Sequence, residues 1–106
     1  MSQVVKRNRG YLHLLASCPT HQRQFLLETA SPEQVHAIVQ AAHNVCQGHI
    51  PLSNRDIRIL TPYKESIKNL QDGNVPYKEK KQILVQEGGA FIPDLLTTFL
   101  EGILLL

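Results

Sequence analysis

Val85-Gln86-Glu87-Gly88-Gly89-Ala90-Phe91-Ile92-Pro93-Asp94-Leu95-Leu96, running on to Leu106, is the stretch on which the reading of this chain turns. A glycine costs about 1 kcal/mol relative to alanine inside a helix, so the pair Gly88-Gly89 reads as a joint. Pro93 suits a first helical turn, where its missing N–H is not needed, and Asp94 complements the helix dipole there. Beyond it Leu95, Leu96, Phe99, Leu100, Ile103 and Leu104 recur at helical spacing, with Asp94, Thr97, Thr98 and Glu101 on the other face. The pattern predicts an amphipathic C-terminal helix hinged to the chain at Gly-Gly.

Such a helix serves one of three ends: the chain's own core, a protein partner, or a membrane interface. In the second and third cases Phe91, Leu95, Leu96, Phe99, Leu100, Ile103 and Leu104 are the contact residues. A spanning segment is disfavoured, because about 14 helical residues reach roughly 21 Å against a hydrocarbon core of about 30 Å. Asp94 and Glu101 would also be costly in that core.

Upstream, the strongest start signal is Ser31-Pro32-Glu33-Gln34: a cap, a proline at the first helical position and a capping-box glutamine. The helix that it opens carries Val35, Ile38, Val39, Ala42, Val45 and Cys46 on one face, and Gly48 ends it as a left-handed C-cap. Two short helices precede it. One, around Tyr11 to Leu15, stops at Cys18-Pro19; the other, Thr20 to Thr29, has Phe25, Leu26 and Leu27 as its buried side. Gly48-x-Ile50-Pro51-Leu52 and Gly73-Asn74-Val75-Pro76-Tyr77 repeat one piece of turn chemistry, a helix stop followed by a stiff extended link. Between them Ser53 caps a helix to about Gln71, with Ile57, Leu60, Ile67 and Leu70 inward and a kink or split at Pro62, where Thr61 is a new cap. Tyr77 to Gln86 is a short basic helix.

No segment alternates with period two for long, so the predicted fold is all-α: a small bundle of about five or six short helices. It divides into a basic N-terminal arm (1–9), a helical domain (10–87), and the Gly-Gly joint with its amphipathic helix (88–106). At 106 residues, 42% hydrophobic and 19% charged, the chain fits one globular domain with a modest core. Its formal net charge of +2 sets up no field that demands nucleic acid. Lys6, Arg7 and Arg9, and Lys78, Lys80 and Lys81, are nonetheless local clusters able to contact phosphates, weakly and without sequence preference. The polar start Met1–Arg9, with no apolar core and cleavage site after it, does not read as a signal peptide. The two cysteines read as free thiols.

Catalytic and metal chemistry find little support. Cys18-x-x-His21 and His43-x-x-Cys46 have zinc-like spacing, but Cys46 falls on an apolar helix face and nothing forces the two pairs together. No metal, cofactor or catalytic residue is assigned. Gly88-Gly89 lacks both the Lys-Ser/Thr of a phosphate loop and the third glycine of a dinucleotide turn. A non-enzymatic role with no small-molecule substrate follows.

Several short motifs span about nine-tenths of the chain. They include Leu14-Leu15-x-x-Cys18, Gln22-Arg23, Leu27-x-Thr29-Ala30-Ser31-Pro32, Asn44-Val45, Gly48-x-Ile50-Pro51-Leu52-Ser53 and Tyr63-Lys64. Lys80-Lys81-x-Ile83-Leu84-Val85-Gln86-x-Gly88-Gly89 and Phe91-Ile92-Pro93-x-Leu95-Leu96 complete them. This arrangement resembles a small virion-type protein of Maverick/Polinton elements and adintoviruses, and its tail resembles the end of the adenovirus core peptide precursor. The resemblance implies a minor core or capsid-associated protein, located in a virion or inside the host cell (nucleus or cytoplasm). It also implies protease cleavage after Gly88-Gly89. Such relatives are strongly basic in their second half, whereas Glu65, Asp72, Glu79 and Glu87 dilute the charge here. The reading is thus a structural or interaction protein acting on a protein partner, or on itself, through the C-terminal helix. A membrane-active virion peptide and a modest nucleic-acid-binding protein are the alternatives.

Overall fold

Gly88 and Gly89 lie inside one unbroken helix. In the computed structural model, which describes residues 2–48 and 50–104, helix α7 runs from Tyr77 to Leu104 straight through the glycine pair and Pro93. The other elements are α1 (Gln3–Arg7), α2 (Arg9–Ser17), α3 (Thr20–Glu28), α4 (Pro32–Cys46), α5 (Asn54–Leu60), a 3-10 turn (Thr61–Tyr63) and α6 (Lys64–Gln71). The protein is all-α, and no strand occurs among the described residues. The basic helix and the tail helix, expected as two elements, are one.

The reason lies in packing. Helix α7 touches α2, α3, α4, α5 and α6, and so forms the axle of the bundle. Leu84, Phe91, Ile92, Leu95, Leu96, Phe99 and Leu100 are all buried on it. At 100° per residue they and the buried Thr98 cover roughly 200° of its circumference, wider than the stripe of a surface helix. Two glycines and a proline cost a helix about 5 kcal/mol in propensity. Burial of a large apolar side chain returns about 1.5–3 kcal/mol each, so the core outweighs the local preference. Pro93 leaves the Gly89 carbonyl without its helical donor. Gly89 is exposed, so that carbonyl can turn to water.

The glycines have separate reasons. Gly88 is buried where α3 meets α7: a Cβ there would fall 3.1 Å from Leu27 Cδ1 and 3.2 Å from Ile92 Cγ1. A Cβ at Gly102 would fall 2.5 Å from Ile50 Cγ2, so the turn after α4 sits directly on α7. Around Gly89 there is open space.

The N-terminal segment is likewise no loose arm. Ser2 caps α1 through its hydroxyl, which accepts from Val5 N, and Val4 and Val5 are buried where α1 packs on α4. Two adjacent apolar residues, Val4 and Val5, were too few to show a helical face. Asn8 joins α1 to α2, its side-chain amide donating to the Val4 carbonyl at 2.8 Å.

Local signals set the remaining helix ends. Ser31 and Gln34 form the reciprocal capping box of α4, and Ser53 with Asp56 forms that of α5. Gly48 has φ +77°, the left-handed conformation that favours glycine. Its neighbour His49, part of the repeated turn motif, lies outside the described residues. Pro62 splits α5 from α6 through the 3-10 turn, and the Thr61 hydroxyl donates back to the Ile57 carbonyl instead of capping forward. Arg23, buried and forming no ion pair among the described residues, donates to the Leu15 and Cys18 carbonyls at 2.9 and 2.6 Å, closing the C-terminus of α2. The Tyr11 hydroxyl donates to the Leu26 carbonyl at 3.0 Å.

Two predictions follow from these contacts. Gly89→Ala, in helical backbone with room for a methyl, is expected to raise unfolding free energy by about 0.5–1 kcal/mol. Gly102→Ala, forced against Ile50, is expected to lower it by about 1–3 kcal/mol. Urea unfolding followed by circular dichroism checks both, and a flexible joint at Gly89 would show no gain. Separately, burial raises the Tyr11 pKa from 10.0 to about 12, with smaller contributions from Cys18 and Tyr77. The unfolded chain ionises this phenol first, so its contribution is complete below pH 10 and is lost as pH rises towards 12. Melting temperatures of Tyr11→Phe should therefore fall less steeply than those of the native chain across that window.

Candidate functional site

The residues expected to contact a partner or membrane from the tail are in the protein's own core. Phe91, Leu95, Leu96, Phe99 and Leu100 are buried, and Ile103 is half-buried against the same cluster. Leu104 ends the described helix, and its side chain, with Leu105 and Leu106, lies outside the described residues. Thr98, expected on the polar face, is buried as well, because the apolar arc is wider than a simple amphipathic pattern suggests. The correction is physical: a helix surrounded by five others has no free apolar face to offer. Gly88-Gly89 is helical too, so an extended protease cleft reaches it only after α7 unwinds locally.

The two basic clusters come to one corner of the bundle, the turn between α3 and α4. Arg7 donates to Glu33 Oε1 from Nε at 2.9 Å and from Nη2 at 2.5 Å. That guanidinium holds the Glu33 carboxyl below its ordinary pKa. From the opposite side Lys81 Nζ donates to the Ala30 carbonyl at 3.0 Å, while Lys80 and His36 line a shallow hollow with Pro32. Arg7 and Lys81 are therefore engaged in holding the corner. Lys6, Arg9 and Lys78 are exposed, but Glu28 lies beside Lys78 and Lys81 in the adjoining hollow. The corner has positive charges with acidic residues set among them.

The four residues with zinc-like spacing are not joined. Cys18 is buried, whereas His21, His43 and Cys46 are exposed, and Cys46 Sγ faces the Gln71 amide at 3.3 Å. No group of three or more His, Cys, Asp or Glu among the described residues stands close enough to hold a metal ion.

What the structure does build is an apolar groove of about 430 Å³ between α4, α5 and α6. Leu95 of α7, itself wholly buried, lies at its base, with Val45, Leu60 and Ile67 around it. Leu52 and Ile57 form one wall, and Ile57, expected inward, is 48% exposed there. Cys46, Thr61, Lys64, Lys68 and Gln71 form the rim, and no carboxylate among the described residues lines it. The groove can bind an apolar surface; it holds no acid–base pair. Sequence reasoning missed it because it treated Ile57 as core. One signal was available: seven-residue α5 carries Ile57, Ile59 and Leu60, more apolar surface than so short a helix buries. Phe25 is a second displaced residue: expected inward, it is 63% exposed on α3, where Arg23 and Leu27 take the buried side.

Comparison with known proteins finds no matching family model, no matching curated protein and no matching solved structure.

The placement of the tail yields a direct contrast. Phe99→Asp puts a charge in the core at a site where even Phe→Ala costs about 3–5 kcal/mol. It is expected to abolish the cooperative unfolding transition. Phe25→Asp on the exposed face of α3 should change stability by no more than about 0.5 kcal/mol. Thermal scans of both variants check this; a folded Phe99→Asp protein would mean that the tail is not core.

Proposed function

We propose that this chain is a non-enzymatic structural or interaction protein of a virus or virus-like mobile element, minor core or capsid-associated, that works by holding a protein partner. The observation that carries the interaction reading is the groove over Leu95, a concave apolar surface with a basic rim and no acid–base pair within it. Apolar patches of this kind mark interaction sites on soluble domains. The viral context rests on the sequence resemblance alone. The working surface is then α4–α6, and the tail helix supplies the floor beneath it in place of acting as the docking element itself.

The membrane-active reading draws no support from the fold. No helix among the described residues is long and apolar enough to cross a membrane, and freeing the α7 face for an interface would empty the core. Weak phosphate contact by Lys6, Arg9 and Lys78 is a second reading, favoured by the meeting of the two basic clusters at one corner.

Photocrosslinking tests the first reading. Benzoylphenylalanine at Arg58, exposed next to Ile57, is introduced into the full chain expressed with the neighbouring genes of its element. One dominant protein adduct is expected, and it should disappear in the Ile57→Asp variant, whose melting temperature stays near that of the native chain. Adducts to nucleic acid alone, or protein adducts indifferent to Ile57→Asp, would overturn it.

A further inference from the structure

We infer that the groove receives an amphipathic helix that carries carboxylates one turn apart along the edge of its apolar stripe. The inference rests on the reading of the groove as a protein-binding surface and adds the chemistry of what binds.

Three features of the groove lead there. Its rim on α6 is a straight ridge: Lys64, Lys68 and Gln71 stand at i, i+4 and i+7, spanning about 10 Å, two helical turns. A small ligand is usually fixed by a few polar groups converging on one point. Here, Cys46 of α4 apart, the polar groups Thr61, Lys64, Lys68 and Gln71 follow one another along the 3-10 turn and α6, matching an elongated partner with its own helical repeat. The floor and far wall are apolar throughout, from Val45 across Leu95 to Ile57, which calls for a stripe of leucine-like side chains at i, i+3, i+4 and i+7.

The charge is one-sided as well. Lys64 and Lys68 are exposed, and neither forms an ion pair among the described residues. Across α5 and α6 the basic residues are Arg55, Arg58, Lys64 and Lys68, against Asp56 and Glu65 alone. Asp56 is spent on the capping box of α5, and Glu65 is not part of the groove lining. Carboxylates spaced by one turn on a docked helix would meet the two lysines in register. Such rim pairs add selectivity more than strength.

Cys46 makes the test simple, because it lies on the rim and is exposed, while Cys18, the other cysteine, is buried. The full chain is treated with iodoacetamide, and the alkylation rate at Cys46 is followed by mass spectrometry with Cys18 as internal control. Two alanine-based helical peptides serve as probes. Both have Leu at i, i+3, i+4 and i+7; one has Glu at i+1 and i+5, the other Lys. The Glu peptide is expected to protect Cys46 at about fivefold lower concentration than the Lys peptide, the scale that two exposed ion pairs supply, with the gap closing as salt is raised. The double variant Lys64→Glu/Lys68→Glu should reverse the order, and Ile57→Asp should remove protection by both.

Equal protection by the two peptides, or an order unchanged in the double variant, would overturn the acidic-helix inference and leave the protein-binding reading standing. Protection by dodecanoate but by neither peptide would mark a small-ligand site and overturn both. Protection by none of the three, with the Arg58 adduct still dependent on Ile57, would overturn the inference alone.

Discussion

Burial of α7 on more than half of its circumference is the constraint on which the structure depends. Tertiary context routinely overrides weak helix propensity, and here the override is concentrated at one place. Gly88, Gly89 and Pro93 argue against a helix within six residues, and the apolar side chains on both sides argue for one. The second set prevails because the side chains act together: Phe91, Leu95 and Phe99 lie in one row along the helix, so breaking the backbone between them would misalign the row with α2 and α4. Gly88 turns from a weakness into a fit, since its missing Cβ lets Leu27 approach.

The peripheral helices are arranged to serve that axle. Apart from the 15-residue α4 each is short, and short isolated helices are marginal in water; specific hydrogen bonds tie several of them to their neighbours. Arg23 ties the C-terminus of α2 to α3, Tyr11 bonds the Leu26 carbonyl, and Gln24 Nε2 donates to the Val85 carbonyl of α7 at 3.1 Å. At the α3–α4 corner Tyr77 and Lys81 both reach the Ala30 carbonyl. A basic cluster that looks available for phosphates in the sequence is thus partly consumed by backbone carbonyls, which accept from a lysine as a phosphate oxygen does.

Helix ends were the legible part of this sequence. Ser31-Pro32-x-Gln34, Ser53, Gly48, Cys18-Pro19 and Gly73 act through their nearest neighbours, and each marks a boundary where expected. The apolar faces of α4 and of the tail were legible for the same reason, periodicity being a local property. What surrounds a face was not. Whether the stripe from Leu95 to Leu104 looks inward or outward depends on five helices remote in sequence. The same limit hid the groove, whose walls come from three elements, and misplaced Phe25 and Ile57, whose spacing alone suits a core. Val4 and Val5 were missed because two apolar residues beside Lys6 and Arg7 carry no period at all.

The groove follows from the same geometry that fixes the core. Pro62 cannot continue α5, so the chain makes a 3-10 turn before α6 begins. Beside that turn a groove remains between α4, α5 and α6, where Ile57 is exposed above the wholly buried Leu95. Leu95 belongs to the central buried helix, so the base of the groove is part of the core. A pre-formed apolar surface would spare the proposed partner the cost of ordering the place where it lands. On the proposed reading of the groove as a docking surface, the two tasks of recognition would be separate: α7 would supply the shape, and the exposed lysines of α6 the choice.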